Sequence, residues 1–312
     1  MKFITKPDGS IMGQFSRVLV AVDFSKPARS AFEYALALSQ QHGAELFAVQ
    51  AVPLDQAFGW EARERLALTA KLRQKADLAN VEFKDRVQQG DPAGIIQLHA
   101  RSLEPDVIVV GTHQRTGTDR LRMGSVAERV AASASVPVFV VPTRRGTAAV
   151  PSFRHLVVAV DDSAASDRAL DHALALASDP GDRLTVLHVV PGSGSGVPIH
   201  AFRSGVAEYQ NQLLRDARVR LQRAVSMADH AGAEIDTRVL LGDTTTEIAR
   251  VVASIGADLL VLGVPKRGIL SRALFGMTAA RVLRRIDIPL LAVPDVQTAG
   301  ADQEGIALQL AA

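Results

Sequence analysis

Short, uninterrupted apolar runs alternate along the chain with longer segments whose apolar positions recur every three or four residues. In the first half, Val18–Val22 carries no charge and predicts a parallel strand buried on both faces. Ala28–Gln41 follows with Ala31, Ala35 and Leu38 on one helical face, and Gly43 stops it. Leu46–Val52 predicts a second strand, Trp60–Ala79 a charged amphipathic helix, and Val81–Val87 a third strand. Pro92 opens the next helix in a first turn that tolerates a missing N–H. Val107–Val110, Ser125–Ser133 and Val138–Val141 then read as strand, helix and strand. Five strands alternating with four helices predict an open parallel sheet with helices on both faces. Such sheets bind ligands beyond the carboxyl ends of their strands, where the strand order reverses.

The second half repeats the first. Val20-Ala21-Val22-Asp23-Phe24-Ser25 returns as Val158-Ala159-Val160-Asp161-Asp162-Ser163, an offset of 138 that also pairs Ala35-Leu36-Ala37-Leu38 with Ala173-Leu174-Ala175-Leu176. Further on the offset is 152. It pairs Gly90-Asp91 with Gly242-Asp243, Gly111 with Gly263, Gly124 with Gly276 and Pro137 with Pro289. The extra length falls between Pro191 and Gly242, in or beside Gly192-Ser193-Gly194-Ser195-Gly196, where an insertion costs little. A tandem duplication follows, with its joint near Thr143–Ser152 and two five-stranded α/β domains expected at 15–145 and 152–295. Residues 1–14 are a lead and 296–312 a tail. Pro137 and Pro289 precede apolar final strands that need cover at a sheet edge. Those two strands are expected to face each other across an internal pseudo-two-fold axis.

Composition narrows the chemistry. The chain of 312 residues is 47% hydrophobic, ample for two packed cores. It contains no cysteine, which removes disulfides, thiolate nucleophiles and cysteine metal sites. With 35 basic against 33 acidic residues the formal charge is +2, too weak a field to argue for nucleic acid or an anionic membrane. No apolar run is long enough to span a bilayer, and residues 1–13 lack the apolar core of a secretory signal. The expected compartment is the cytoplasm. No P-loop, Gly-x-Ser-x-Gly elbow or H-E-x-x-H pair occurs, and Val141-Pro142 and Val293-Pro294 stand where a phospho-receiver domain needs lysine. His99 falls in a helix and His188 in a strand, isolated and read as packed or partly exposed side chains rather than metal ligands. Neither a catalytic residue nor a metal ligand is assigned.

Candidate chemistry sits at strand ends. Asp23 and Asp161 close the first strand of each half; Gly111 and Gly263 close the fourth, each followed thirteen residues later by a helix-opening glycine, Gly124 or Gly276. If strands one and four are neighbours, aspartate and loop flank one crevice. Glycine admits close backbone approach to phosphate, and a helix N-terminus beyond Gly124, with Ser125 on it, offers unpaired donors. An ordinary reading stands beside this one: the aspartate caps a turn, the glycine ends a strand and the serine caps a helix.

Both halves resemble universal stress protein domains. The resemblance rests on Val-Ala-Val-Asp-x-Ser at strand one, on Gly90-Asp91-Pro92, and on Asp106-Val107-Ile108-Val109-Val110-Gly111-Thr112-His113-Gln114. It continues through Arg115-Thr116-Gly117, Gly124-Ser125-Val126-Ala127-Glu128-Arg129-Val130 and Val136-Pro137-Val138. It implies strand order 3-2-1-4-5, an internal pseudo-dimer that leaves room for a homodimer, and binding of ATP or AMP by some members. Those members use glycine, two residues, glycine, nine residues, then glycine with serine or threonine. Here that frame meets Gly111, Gln114 and Gly124-Ser125, so glutamine replaces the middle glycine. In the second half it meets Gly263, Lys266 and Gly276-Met277, with Thr278 one position late.

By resemblance, adenine lies against Ala21, Val22, Asp23, Ala51 and Val110, and the phosphates meet Gly111, Gln114, Gly124, Ser125 and Val126. The second, weaker set is Ala159, Val160, Asp161, Val189, Leu262, Gly263, Lys266, Gly276 and Thr278. The expected function is stress-response binding and signalling through an unidentified protein partner, not turnover. A nucleotide-independent scaffold with both pockets degenerate is the alternative, and a weak ATPase a lesser one.

Overall fold

The computed structural model of the chain describes residues 14–52, 60–112, 125–143, 151–177, 179–192, 206–227, 232–264 and 277–295. The first half runs β1 (Arg17–Ala21), α1 (Lys26–His42), β2 (Glu45–Val52), α2 (Trp60–Leu78), β3 (Phe83–Gln89), α3 (Pro92–Leu103), β4 (Val107–Thr112), α4 (Ser125–Ser133) and β5 (Val138–Pro142). The second runs β6 (His155–Val160), α5 (Ala164–Leu176), β7 (Arg183–Pro191), α6 (Val206–Met227), β8 (Glu234–Gly242), α7 (Thr244–Ile255), β9 (Leu259–Val264), α8 (Met277–Leu283) and β10 (Leu290–Pro294).

Local chemistry sets these boundaries. Ser25 caps α1 by accepting from the Ala28 N–H, and Gly43 ends it in the left-handed conformation that glycine adopts without strain. Ser163 caps α5 in the same way, accepting from the Ser166 N–H. Asp91 and Asp243 cap α3 and α7 through the N–H groups of Gly94 and Thr246, each at 2.9 Å. Arg129 of α4 holds Asp91 in a two-pronged ion pair, both contacts at 2.7 Å, so the cap also ties two helices together.

The strand order is β3-β2-β1-β4-β5-β10-β9-β6-β7-β8 in one sheet. The two five-stranded sheets expected from the repeat are therefore the halves of a single ten-stranded sheet. Its joint is the antiparallel β5–β10 pair, with Phe139 opposite Leu291. The final strands thus face each other as expected. Side chains alternate along each strand. Val18 and Val20 enter the core layer under α1, α2, α5 and α6, while Leu19 enters the layer under α3, α4, α7 and α8.

Phe139 is fully buried at the joint. Phe15 and Phe153, which the repeat places at equivalent positions, pack on it with ring centroids 6.2 and 6.4 Å away, and Tyr34 sits at 5.3 Å. Phe15 in turn meets the His42 ring edge-on at 4.9 Å. Burial holds the His42 imidazole below the usual histidine range. The unfolded chain therefore takes up that proton first, and stability should fall as the pH drops below about 6.5. In urea titrations between roughly pH 7 and 5, His42→Gln should flatten this slope. An unchanged slope would assign the proton uptake elsewhere.

Candidate functional site

The strand order reverses between β1 and β4, and a cavity of about 260 Å³ opens there at the carboxyl ends. Its floor is apolar: Ala21 and Val22 of β1, Val49 and Ala51 of β2, and Val110 with Gly111 of β4. Asp23 and Ser25 stand at one edge beside Pro27 and Ala28 of α1. Pro92 and Ile96 of α3 and Val126 and Ala127 of α4 close the other wall. The first turn of α4 thus meets the cavity with the end that carries unpaired N–H groups and the positive pole of the helix dipole.

Ala21, Val22, Asp23, Ala51, Val110, Gly111 and Val126, all expected from the sequence, share this cavity. Gln114, Gly124 and the Ser125 side chain lie outside the described residues, although Ser125 opens α4 as expected. Val49, Ile96, Pro92 and the α1 terminus escaped the sequence reading. Val49 was legible in principle, since it lies two positions before Ala51 and so points to the same face.

Gly111 has a packing reason to be glycine beside the expected close approach of phosphate. A Cβ there would lie inside contact distance of the Pro27 carbonyl and 2.9 Å from the Ala28 nitrogen. At Gly263 the added atom would lie 2.6 Å from the Ser166 nitrogen, on the equivalent helix turn. Both glycines admit a helix N-terminus against the sheet. Gly111→Ala and Gly263→Ala should each cost about 1–3 kcal/mol by overpacking, whether or not nucleotide is present. Thermal unfolding of both variants at the wild-type temperature would contradict this.

Asp23 accepts from the Ser25 N–H at 3.0 Å, so the ordinary turn-capping reading holds locally, and the same carboxylate still edges the cavity. Phe24 beside it has φ of 60°, the left-handed region that a bulky side chain rarely adopts. Arg29 steadies the Phe24 carbonyl with a 2.9 Å hydrogen bond.

The second half does not copy this arrangement. At the positions equivalent to Val49, Ala51 and Val110 it carries Leu187, Val189 and Leu262, each larger and each buried. Ala159 and Gly263 are half-buried, Thr278 is exposed on α8, and Lys266 and Gly276 lie outside the described residues. Val160 and Asp161 instead line a cavity of about 270 Å³ on the opposite face of the sheet, between α5 and α6. Burial pushes the Asp161 carboxyl up, but hydrogen bonds from Ser163 and Ser166, with His188 nearby, outweigh it and hold the group below the usual carboxylate range. His99 bonds Gln88 at 2.8 Å. Among the described residues no three His, Asp or Glu side chains come together as a metal site, and no helix is long and apolar enough to cross a membrane.

The crevice lies at the switch point of an open parallel sheet with a helix N-terminus at its mouth, the place where open α/β sheets carry their ligand sites. The Universal stress protein family profile matches residues 14–142 and again 152–294. These matches take in most of the chain, and the protein belongs to that family. Universal stress protein G of Shigella flexneri is 32% identical over 143 residues, covering 45% of this chain and 99% of that protein. Universal stress protein Slr1230 of Synechocystis is 24% identical over 307 residues, covering 88% and 98%. Among solved structures, a universal stress protein from Archaeoglobus fulgidus superposes with a TM-score of 0.68 at 20% identity, over 89% of this chain and 98% of that one. Its low identity speaks for the fold alone.

Proposed function

We propose that this universal stress protein is a cytoplasmic binding and signalling module that takes one adenine nucleotide, ATP or AMP, in its first half and couples occupancy to a protein partner. The carrying observation is the 260 Å³ cavity lined by Ala21, Ala51 and Val110, with Asp23 at its edge and the first turn of α4 at its mouth. The volume lies just below the roughly 300 Å³ at which small-molecule pockets usually begin, enough for a purine and part of a ribose. An apolar slot receives the base, and Asp23 accepts from an amine or ribose hydroxyl. The phosphates run outward to the N–H groups of α4. Arg115, Arg120 and Arg122 stand in the sequence between β4 and α4 and supply counter-charge.

Support for binding without turnover comes from the lining. Among the described residues Asp23 is the one carboxylate in the lining, and it already accepts from the Ser25 N–H. The domains are assigned to 15–145 and 152–295. Mass spectrometry of small molecules released from freshly purified protein tests the reading. Released ATP, AMP or ADP supports it; a preparation that carries none and takes up none on incubation favours a nucleotide-independent scaffold.

A further inference from the structure

The cavity between α5 and α6 lies across the sheet from the nucleotide crevice and has its own chemistry. We infer that it is a second ligand site, built for a small organic cation: a primary amine on a short apolar stem. Leu170 of α5 and Leu221 and Ala224 of α6 give it apolar walls. Its polar side consists of Asp161, Asp162, Asp167, His188 and Arg220.

Charge at the mouth is unbalanced. Arg220 is matched to Asp162, 3.6 Å away. Oδ1 of Asp161 accepts from the Ser163 N–H at 3.0 Å and the Ser166 hydroxyl at 2.7 Å, which leaves Oδ2 for a ligand. Asp167 makes no ion pair among the described residues. Asp161 and Asp167 therefore stand beside an apolar volume with no ion-pair partner among the described residues. His188 also lines the cavity, donating from Nδ1 to the Val160 carbonyl at 2.9 Å. The carboxylate oxygens of Asp161 and Asp167 are acceptors, which a donor on the ligand fills.

Two further observations define the class. Among the described residues the carboxylates do not converge as a metal site, and the apolar walls suit a cation with a body that fills them. The repeat supplies an internal comparison: where the second half has Asp162, Asp167, Leu170 and His188, the first has Phe24, Arg29, Phe32 and Gln50. The fold is satisfied by either set. The acidic set is thus a property of the second half and not a requirement of the architecture.

Calorimetry on the full chain tests this with benzylamine, its neutral counterpart benzyl alcohol, and benzoate. Benzylamine should bind saturably, with benzyl alcohol at least about tenfold weaker, a difference of ~1.4 kcal/mol, and benzoate not at all. Asp162→Asn with Asp167→Asn, both exposed and conservative, should weaken benzylamine at least about tenfold. Asp162→Phe with Asp167→Arg, which imports the first-half residues, should abolish it. Amine and alcohol binding alike, no saturable benzylamine binding up to about 10 mM, or undiminished affinity in the double asparagine variant each overturn the inference. No nucleotide is used, so the outcome is independent of the nucleotide reading.

Discussion

Replacing Ala51 with valine and Val110 with leucine should lower adenine-nucleotide affinity roughly 100-fold, with little change in stability. Both side chains line the first-half cavity. Both replacements are the residues that the second half carries at the same positions, Val189 and Leu262, where the fold packs them at 9% and 5% exposure. The added methyl and methylene groups occupy the volume the base requires, and close packing gives them nowhere else to go. Each such intrusion costs about 1–3 kcal/mol when a ligand must share the space. The reverse exchange, Val189→Ala with Leu262→Val, opens space in the second half and should cost that half about 1–3 kcal/mol of stability. Isothermal titration with AMP and ATP reads the first effect. Undiminished affinity in Ala51→Val/Val110→Leu would place the nucleotide elsewhere.

Phe139→Ala should cost about 3–5 kcal/mol, a large share of the 5–15 kcal/mol that usually separates a native domain from its unfolded state. The ring is fully buried, and three aromatic side chains from both halves converge on it. Because Phe139 stands opposite Leu291 across the β5–β10 pair, the loss should cross the joint. Amide exchange at Leu290–Ala292 should accelerate although the substitution lies in the other half. Phe139→Leu, which copies the residue at the equivalent strand position, should recover much of the stability. Faster exchange confined to the first half would show that the halves open independently.

Much of this architecture was legible because the chain states it twice. The offsets of 138 and 152 fixed the repeat, and the prolines before the final strands predicted that those strands would meet. Errors arose where burial and pairing part company. Val81 was read as the start of the third strand, but its N–H bonds the Ala76 carbonyl and closes α2, so β3 begins at Phe83. Val81 is buried without being paired in the sheet. The start of α1 was placed at Ala28 because the apolar spacing begins there. Capping by Ser25 moves it to Lys26, a boundary that hydrophobic periodicity does not carry.

The site was legible in part for a similar reason. Residues at strand ends follow from the switch-point rule, so Ala21, Asp23, Val110 and Gly111 could be named from sequence. The reason for Gly111 could not, since it depends on how closely α1 approaches β4. The pairing of Ala51 with Val189 and of Val110 with Leu262 was visible in the repeat; its meaning required knowing that all four positions face one layer of the core. The α5–α6 cavity depends on two helices flanking His188, an arrangement that sequence spacing does not reveal.

The central claim is that one half of a duplicated chain binds nucleotide and the other does not. Equilibrium dialysis against labelled AMP and ATP measures this directly as the number of molecules bound per chain at saturation. The account predicts one, lost in Ala51→Val/Val110→Leu. Two equivalent sites per chain, or no saturable binding of either nucleotide, would contradict it.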